Sequence, residues 1–329
     1  MSYCNHSTFW DSSDFVSYSL HIFGCFSTPI HVFGTYCILF KTPATMKSVK
    51  WHLLNLHFWS CFLDLSFSVL TTPYVLYPSF SGYPLGLFTK MGLSAGVDVV
   101  YMMITITLVL VSMVQIFEVR FLIFNDPNNK WRKIRIPWFI FNYLLATTYI
   151  FPVYYFTPDQ VEGRKYVFEH YFSCVPNYVQ YDSVFVLATD NASQFLFIAI
   201  VVWFLALQVV LFLLLTGYLL RQQVKKRMSK HTVNLQVKFQ RSLFLQILIP
   251  YFILVPPVFY LGFSTLANFH FQYLNNVSMI LTSSHGFFST IALIAVQTPY
   301  REFVLKSVGL ENRFRKDTVP QLKISNFVT

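Results

Sequence analysis

The chain has 329 residues, of which 55% are apolar, 19% aromatic and only 12% charged, and its formal net charge is +10. Soluble domains carry about 25% charged residues, so one buried core wrapped in a wetted surface does not account for this composition. The basic residues lie between long apolar runs, which argues against nucleic-acid binding as the origin of the positive charge.

Seven apolar runs follow one another near 15–40, 51–77, 91–117, 137–156, 194–220, 242–264 and 278–298. A bilayer crossing needs about 20 mostly apolar residues, and the first run is long enough to tilt. Of the 24 Lys and Arg residues, all but Lys90, Arg164 and Lys165 fall in alternate gaps: 41–50, the end of run three to 136, 221–241, and the tail. Cytoplasmic segments retain Lys and Arg. This predicts an all-α seven-transmembrane bundle with residues 1–14 outside, a membrane domain over 15–298, and a cytoplasmic tail over 299–329. Residues 1–14 lack a basic n-region and carry Asp11 and Asp14, so the first run is expected to insert as an uncleaved anchor.

Along the chain, three glycosylation sequons begin at Asn5, Asn191 and Asn276, all in outer segments; chance occurrence is the alternative. Cys4 and Cys174 are the two cysteines placed on the oxidising side, and they allow one disulfide or two free thiols. In run two, His57, Ser60, Asp64, Ser68 and Thr71 share one helical face. Asp64 at membrane depth points to a buried network that biases two conformations; polar glue between helices is the plainer reading. Run three carries Asp98, Tyr101, Met102 and Thr105 near its outer end. Asp98 lies about 33 Å above Arg120 at 1.5 Å per residue, where it can meet a cationic ligand or reach the interface and be solvated. Tyr101, Met102 and Thr105, with Tyr260, Thr282 and His285 on later runs, are candidates for a pocket between helices.

Run three ends in Phe117-Glu118-Val119-Arg120, where Glu118 and Arg120 are candidates for a releasable ion pair, or for an ordinary interface anchor with a snorkelling Arg. The 221–241 segment, with Lys225, Lys226 and Arg227, offers a cationic surface to an intracellular partner or to anionic lipid. Pro250, Pro256 and Pro257 kink run six, as a hinge or as static curvature. Beyond run seven, Pro299-Tyr300-Arg301-Glu302-Phe303 opens a short amphipathic stretch. No Walker loop, H-E-x-x-H, C-x-x-C or G-x-S-x-G occurs, so neither an enzyme, a cofactor nor a metal site is expected.

Longer strings carry a resemblance. Thr28-Pro29-Ile30-His31-Val32-Phe33-Gly34 runs on into Tyr36-Cys37-Ile38-Leu39-Phe40-Lys41-Thr42-Pro43, then Met46-Lys47-Ser48-Val49-Lys50-Trp51 and Leu54-Asn55-Leu56-His57-Phe58-Trp59. With Gly82-Tyr83-Pro84-Leu85-Gly86 and Pro299-Tyr300-Arg301-Glu302-Phe303, the chain resembles the nematode serpentine chemoreceptors of class H, over essentially all seven runs. The resemblance implies a G-protein-coupled receptor in the plasma membrane of chemosensory neurons, in their sensory cilia, that binds a small environmental chemical or pheromone and activates a heterotrimeric G protein. It implies a switch role for Glu118 and Arg120, and matches Pro299-Tyr300 to the end of span seven. The chain departs from the larger rhodopsin-like pattern: Val119 separates Glu118 from Arg120, no cysteine at the outer end of run three faces Cys174, and run seven closes Gln297-Thr298-Pro299-Tyr300. A ligand-gated cation channel using the Asp64 stripe, and a transporter, are the alternatives from other classes.

Overall fold

Inside a bilayer every backbone N–H and C=O has to bond within its own segment, which leaves helices for an apolar chain of this kind. The computed structural model describes residues 3–4, 8–126, 129–172, 174–189, 191–225 and 230–309. Its long elements are α1 (Ser13–Phe40), α2 (Lys47–Leu65), α3 (Ala95–Phe124), α4 (Trp131–Thr148) with its continuation α5 (Ile150–Tyr155), and a surface helix α6 (Gln160–His170). They continue with α7 (Asn191–Lys225), α8 (Lys230–Ala267), α9 (Gln272–Ser283), α10 (His285–Val296) and α11 (Thr298–Ser307). Joining α4 to α5 and α9 to α10 gives a seven-helix bundle. Six crossings are long and apolar enough to span a membrane, and the described apolar stretch of α8 is Phe252–Ala267.

Local chemistry sets the ends. The Ser12 hydroxyl accepts from the Phe15 N–H at 3.2 Å, and the Ser94 hydroxyl from the Val97 N–H at 3.4 Å, each meeting a helix donor with no intrahelical partner. The second crossing begins at Lys47 and closes in a wide turn over Ser66–Leu70, so the expectation of a span reaching 77 is corrected. Pro73 lacks an N–H and disfavours helix at the residue before it, and Thr72 has φ +44°. The third crossing starts at Ala95, after Gly92 at φ +84°, and runs on past 117 to Phe124.

α3 is the central post, packed against α2, α4 and α7. Leu53, Leu56, Val111, Val114, Phe117 and Leu205 are buried together there, while Leu196, Trp203, Leu207 and Leu214 of α7 are exposed on its other side. A helix apolar all round suits a lipid-facing position.

One part of the fold was not expected. Strands β1 (Pro73–Val75), β2 (Phe80–Pro84) and β3 (Phe185–Ala188) form an antiparallel sheet in that order. α6 packs on β3, and Tyr74, Leu76, Val167, Phe168 and Val186 give this cap its own apolar core. The cap is tied to the bundle by Gln272, which donates to Val75 O at 2.9 Å, and by Asn275, which donates to Tyr77 O at 3.0 Å; Asn276 donates to Trp10 O, in the segment before α1, at 2.8 Å.

Candidate functional site

Beneath the sheet, between α3, α7, α8 and α9, lies a cavity of about 300 Å³. Ala95, Asp98, Val99, Met102 and Ile106 line it from a single face of α3, as their spacing of three and four residues requires. Most of the remaining wall is apolar, including Phe67, Tyr77, Phe185, Leu261 and Met279. Its serine and threonine hydroxyls are committed locally: Ser79 to Ser81 at 2.6 Å, Thr71 to Ser66 O at 2.9 Å and Thr282 to Ser278 O at 2.8 Å, whereas the buried Tyr83 hydroxyl has no hydrogen-bond partner. Asp98 is only 3% exposed, and neither carboxylate oxygen has a hydrogen-bond partner. The expectation of a solvated interface carboxylate is thereby corrected: Gly96 lets α3 come so close to Tyr154 and Phe185 that the outer turn is covered.

Of the candidate pocket residues, Asp98, Met102 and Thr282 line this cavity. The other four do not. The Tyr101 hydroxyl pairs with Ser66 Oγ at 2.7 Å, Thr105 donates to Tyr101 O at 2.9 Å, Tyr260 donates to Phe271 O at 3.2 Å, and His285 is buried away from it.

Deeper in the bundle, Asp64 joins three helices. Its Oδ2 lies 3.0 Å from His31 Nε2 on α1, and its Oδ1 accepts from the Gly286 N–H on α10 at 3.0 Å. His31 Nδ1 lies 2.9 Å from Thr290 Oγ1, which itself donates to Gly286 O at 2.8 Å. With the Thr290 proton committed, His31 Nδ1–H is the donor to Thr290, and the His31–Asp64 contact holds one shared proton. A Cβ on Gly286 would sit 2.6 Å from Asp64 Oδ1 and from Ser60 O, so glycine is what permits this approach. His57, on the same stripe, lies 3.1 Å from His31 O. His31 and Thr290 were not among the expected site residues; a His at mid-span was the available signal.

At the other end of α3, Glu118 is fully buried. Its Oε2 accepts from Arg135 Nη2 at 2.9 Å, and its Oε1 from Arg135 Nε at 3.1 Å and Trp131 Nε1 at 2.8 Å. The expected Glu118–Arg120 pair is corrected: residues two apart on a helix do not face each other, and the partner comes from α4. Arg120 is buried beside it. Tyr300 is buried at the start of α11 with its hydroxyl 2.7 Å from Thr42 Oγ1, Pro299 occupies the first turn, and Lys41 Nζ sits 4.2 Å over the Phe303 ring. Two strings that carried the family resemblance therefore meet in space. Pro250 lies within α8, and Lys225 ends α7; Lys226 and Arg227 fall outside the described residues.

On the opposite side, Cys174 is disulfide-bonded while Cys25, Cys37 and Cys61 are free, and the backbone of Tyr3–Cys4 pairs in parallel with Val175–Pro176. Asn276 is 1% exposed and engaged with Trp10 and Gln272, which corrects its candidacy for glycosylation: the amide nitrogen has no room for a sugar. Asn191 opens α7, and Asn5 lies outside the described residues.

Residues 11–310 match the family model of the serpentine seven-transmembrane G-protein-coupled chemoreceptors Srh. Serpentine receptor class H-72 of Caenorhabditis elegans is 28% identical over 321 residues, covering 96% of this chain and 91% of that protein. The crystal structure of squid rhodopsin superposes with a TM-score of 0.51 at 11% identity, over 94% of this chain and 91% of its own; at that identity the likeness concerns the fold alone.

Proposed function

The chain belongs to the Srh family of serpentine chemoreceptors, and from that premise we propose that it binds a small chemical in the cavity beneath the sheet and reports it to a heterotrimeric G protein at the other end of the bundle. The observation that carries this reading is that one helix serves both ends. α3 supplies a face of the cavity through Asp98 and Met102, and holds Glu118 and Arg120 about 30 Å away along its axis at 1.5 Å per residue.

The placement of Lys and Arg supports an outside amino terminus and a cytoplasmic tail, so the capped cavity faces the exterior and the Glu118–Arg135 pair the cytosol. We assign the protein to the plasma membrane of chemosensory neurons, in their sensory cilia, and the Cys174 disulfide to Cys4. The segment carrying Lys225, Lys226 and Arg227 and the inner ends of α3 and α4 form the surface for the G protein, with α11 lying along the anionic inner leaflet. Binding shifts the bundle only by its differential affinity for two states; the element that has two states is the set of α1–α2–α10 contacts around Asp64. Pro250 gives α8 a place to bend.

The test is ligand-dependent G-protein activation in membranes, for the wild type and for Arg120→Ala. Lost coupling with retained surface expression is the expected result, and unchanged coupling removes Arg120 from the mechanism. Ligand-gated current through the purified chain in a bilayer free of G protein would instead favour the channel reading.

A further inference from the structure

We propose that the cavity takes a small organic cation, an amine or quaternary ammonium with an apolar body, whose charged head pairs with Asp98. The proposal rests on the cavity being the ligand site.

Among the described residues the bundle contains three buried carboxylates, and it supplies two of them with partners. Asp64 has His31 and the Gly286 N–H, and Glu118 has Arg135 and Trp131. Asp98 has none, although it is 3% exposed. A carboxylate removed from water without a counter-charge is unfavourable, and it either takes up a proton or gains a counter-charge; a cation entering the cavity supplies the second. Among the described residues no Lys, Arg or His lines the cavity, hence no described side chain of the wall fills that role, and an anionic ligand would meet like charge. The serine and threonine hydroxyls of the wall are bonded locally, which leaves few neutral polar groups, the unpartnered Tyr83 hydroxyl among them, to hold a ligand. Phe67, Tyr77 and Phe185 offer ring faces to a cation and apolar area to its body. At about 300 Å³ the space lies at the lower end of the range for ligand pockets, so the ligand is small.

In the empty cavity the two oxygens are covered. Asp98 nonetheless shares its helical face with Ala95 and Met102, which also line the space. Engagement therefore needs the Asp98 carboxylate to turn toward that space.

The experiment measures thermal unfolding of the purified full chain in lipid nanodiscs against matched pairs: 2-phenylethylamine with 2-phenylethanol, and hexylamine and hexyltrimethylammonium with hexanol. The expected result is that the cationic members raise Tm at lower concentrations than their alcohols. Asp98→Asn should weaken the cations by about 100-fold, as loss of a desolvated charge partner does, and leave the alcohols unchanged, while Asp98→Glu restores part of the preference. Alcohols that match or exceed the amines, a cation preference that survives Asp98→Asn, or no shift by any cation up to its solubility limit overturns the proposal. The first outcome would indicate a protonated Asp98 serving a neutral ligand. The same panel in a G-protein activation assay separates the two readings. Cation binding without activation sinks the coupling and spares the site, whereas activation by neutral compounds that Asp98→Asn leaves intact spares the receptor and sinks the cation.

Discussion

Asp98 and Glu118 sit on the same helix, both buried, about 30 Å apart by the helical rise. At the inner end the carboxylate is saturated: a two-pronged Arg135 and the Trp131 indole N–H leave neither oxygen open. At the outer end no group answers the carboxylate at all. The contrast teaches that burial alone does not give an acid its role. A satisfied acid ties α3 to α4 as a structural joint. An unsatisfied one in a cavity is unfinished structure, and completing it is the work of something that is not part of the chain.

That contrast can be broken from either end. Arg135→Ala strands Glu118 as a buried unpaired charge and should lower unfolding free energy by about 3–5 kcal/mol. Adding Glu118→Gln should recover much of the loss in denaturant titrations of the purified protein; equal stability of wild type and Arg135→Ala would show the joint to be dispensable. Gly286→Ala drives a Cβ into Asp64 and Ser60 O, and overpacking of this kind costs about 1–3 kcal/mol. It tests whether the mid-bundle acid behaves like Glu118, and intrinsic-fluorescence melts would read it. Tyr300→Phe removes one bond to Thr42, worth about 1 kcal/mol, and should speed hydrogen exchange in α11 before any change in the melt. Asp98→Asn breaks no bond and removes an unpartnered buried carboxylate, so it is expected to cost no stability and to move the melt upward. A large loss of stability in this variant would mean that Asp98 is structural after all, and the contrast would collapse.

The seven crossings were legible because a membrane imposes length and apolarity on each segment separately. The cap was not. β2 pairs with β3 about a hundred residues further on, and such pairing leaves no local mark beyond Pro73 and a few alternating residues around Val184 and Val186. Helical spacing put Asp64 on a polar stripe but could not show that His31 and Thr290, on two other helices, complete it. The partner of Glu118 was misread for the same reason. Arg120 is near in sequence, whereas Arg135 is brought in by the turn between α3 and α4. Asp98 was legible as a charge near the outer end, and its burial was not, since that depends on how closely Gly96 lets other side chains approach.

The cap adds a matter of timing. It is fastened by Gln272 and Asn275 to α9 and by Tyr74 to Asp11 O near the amino terminus. On the reading proposed above, with entry through the cap, a molecule arriving from outside has to wait for these bonds to part, and a molecule leaving has to wait for the same event. Entry and exit therefore slow together, and the equilibrium affinity is unaffected. Loosening the cap would shorten residence time and response duration without changing which chemical is recognised. On that reading the sheet sets the timing of the response, and the cavity beneath it the selection.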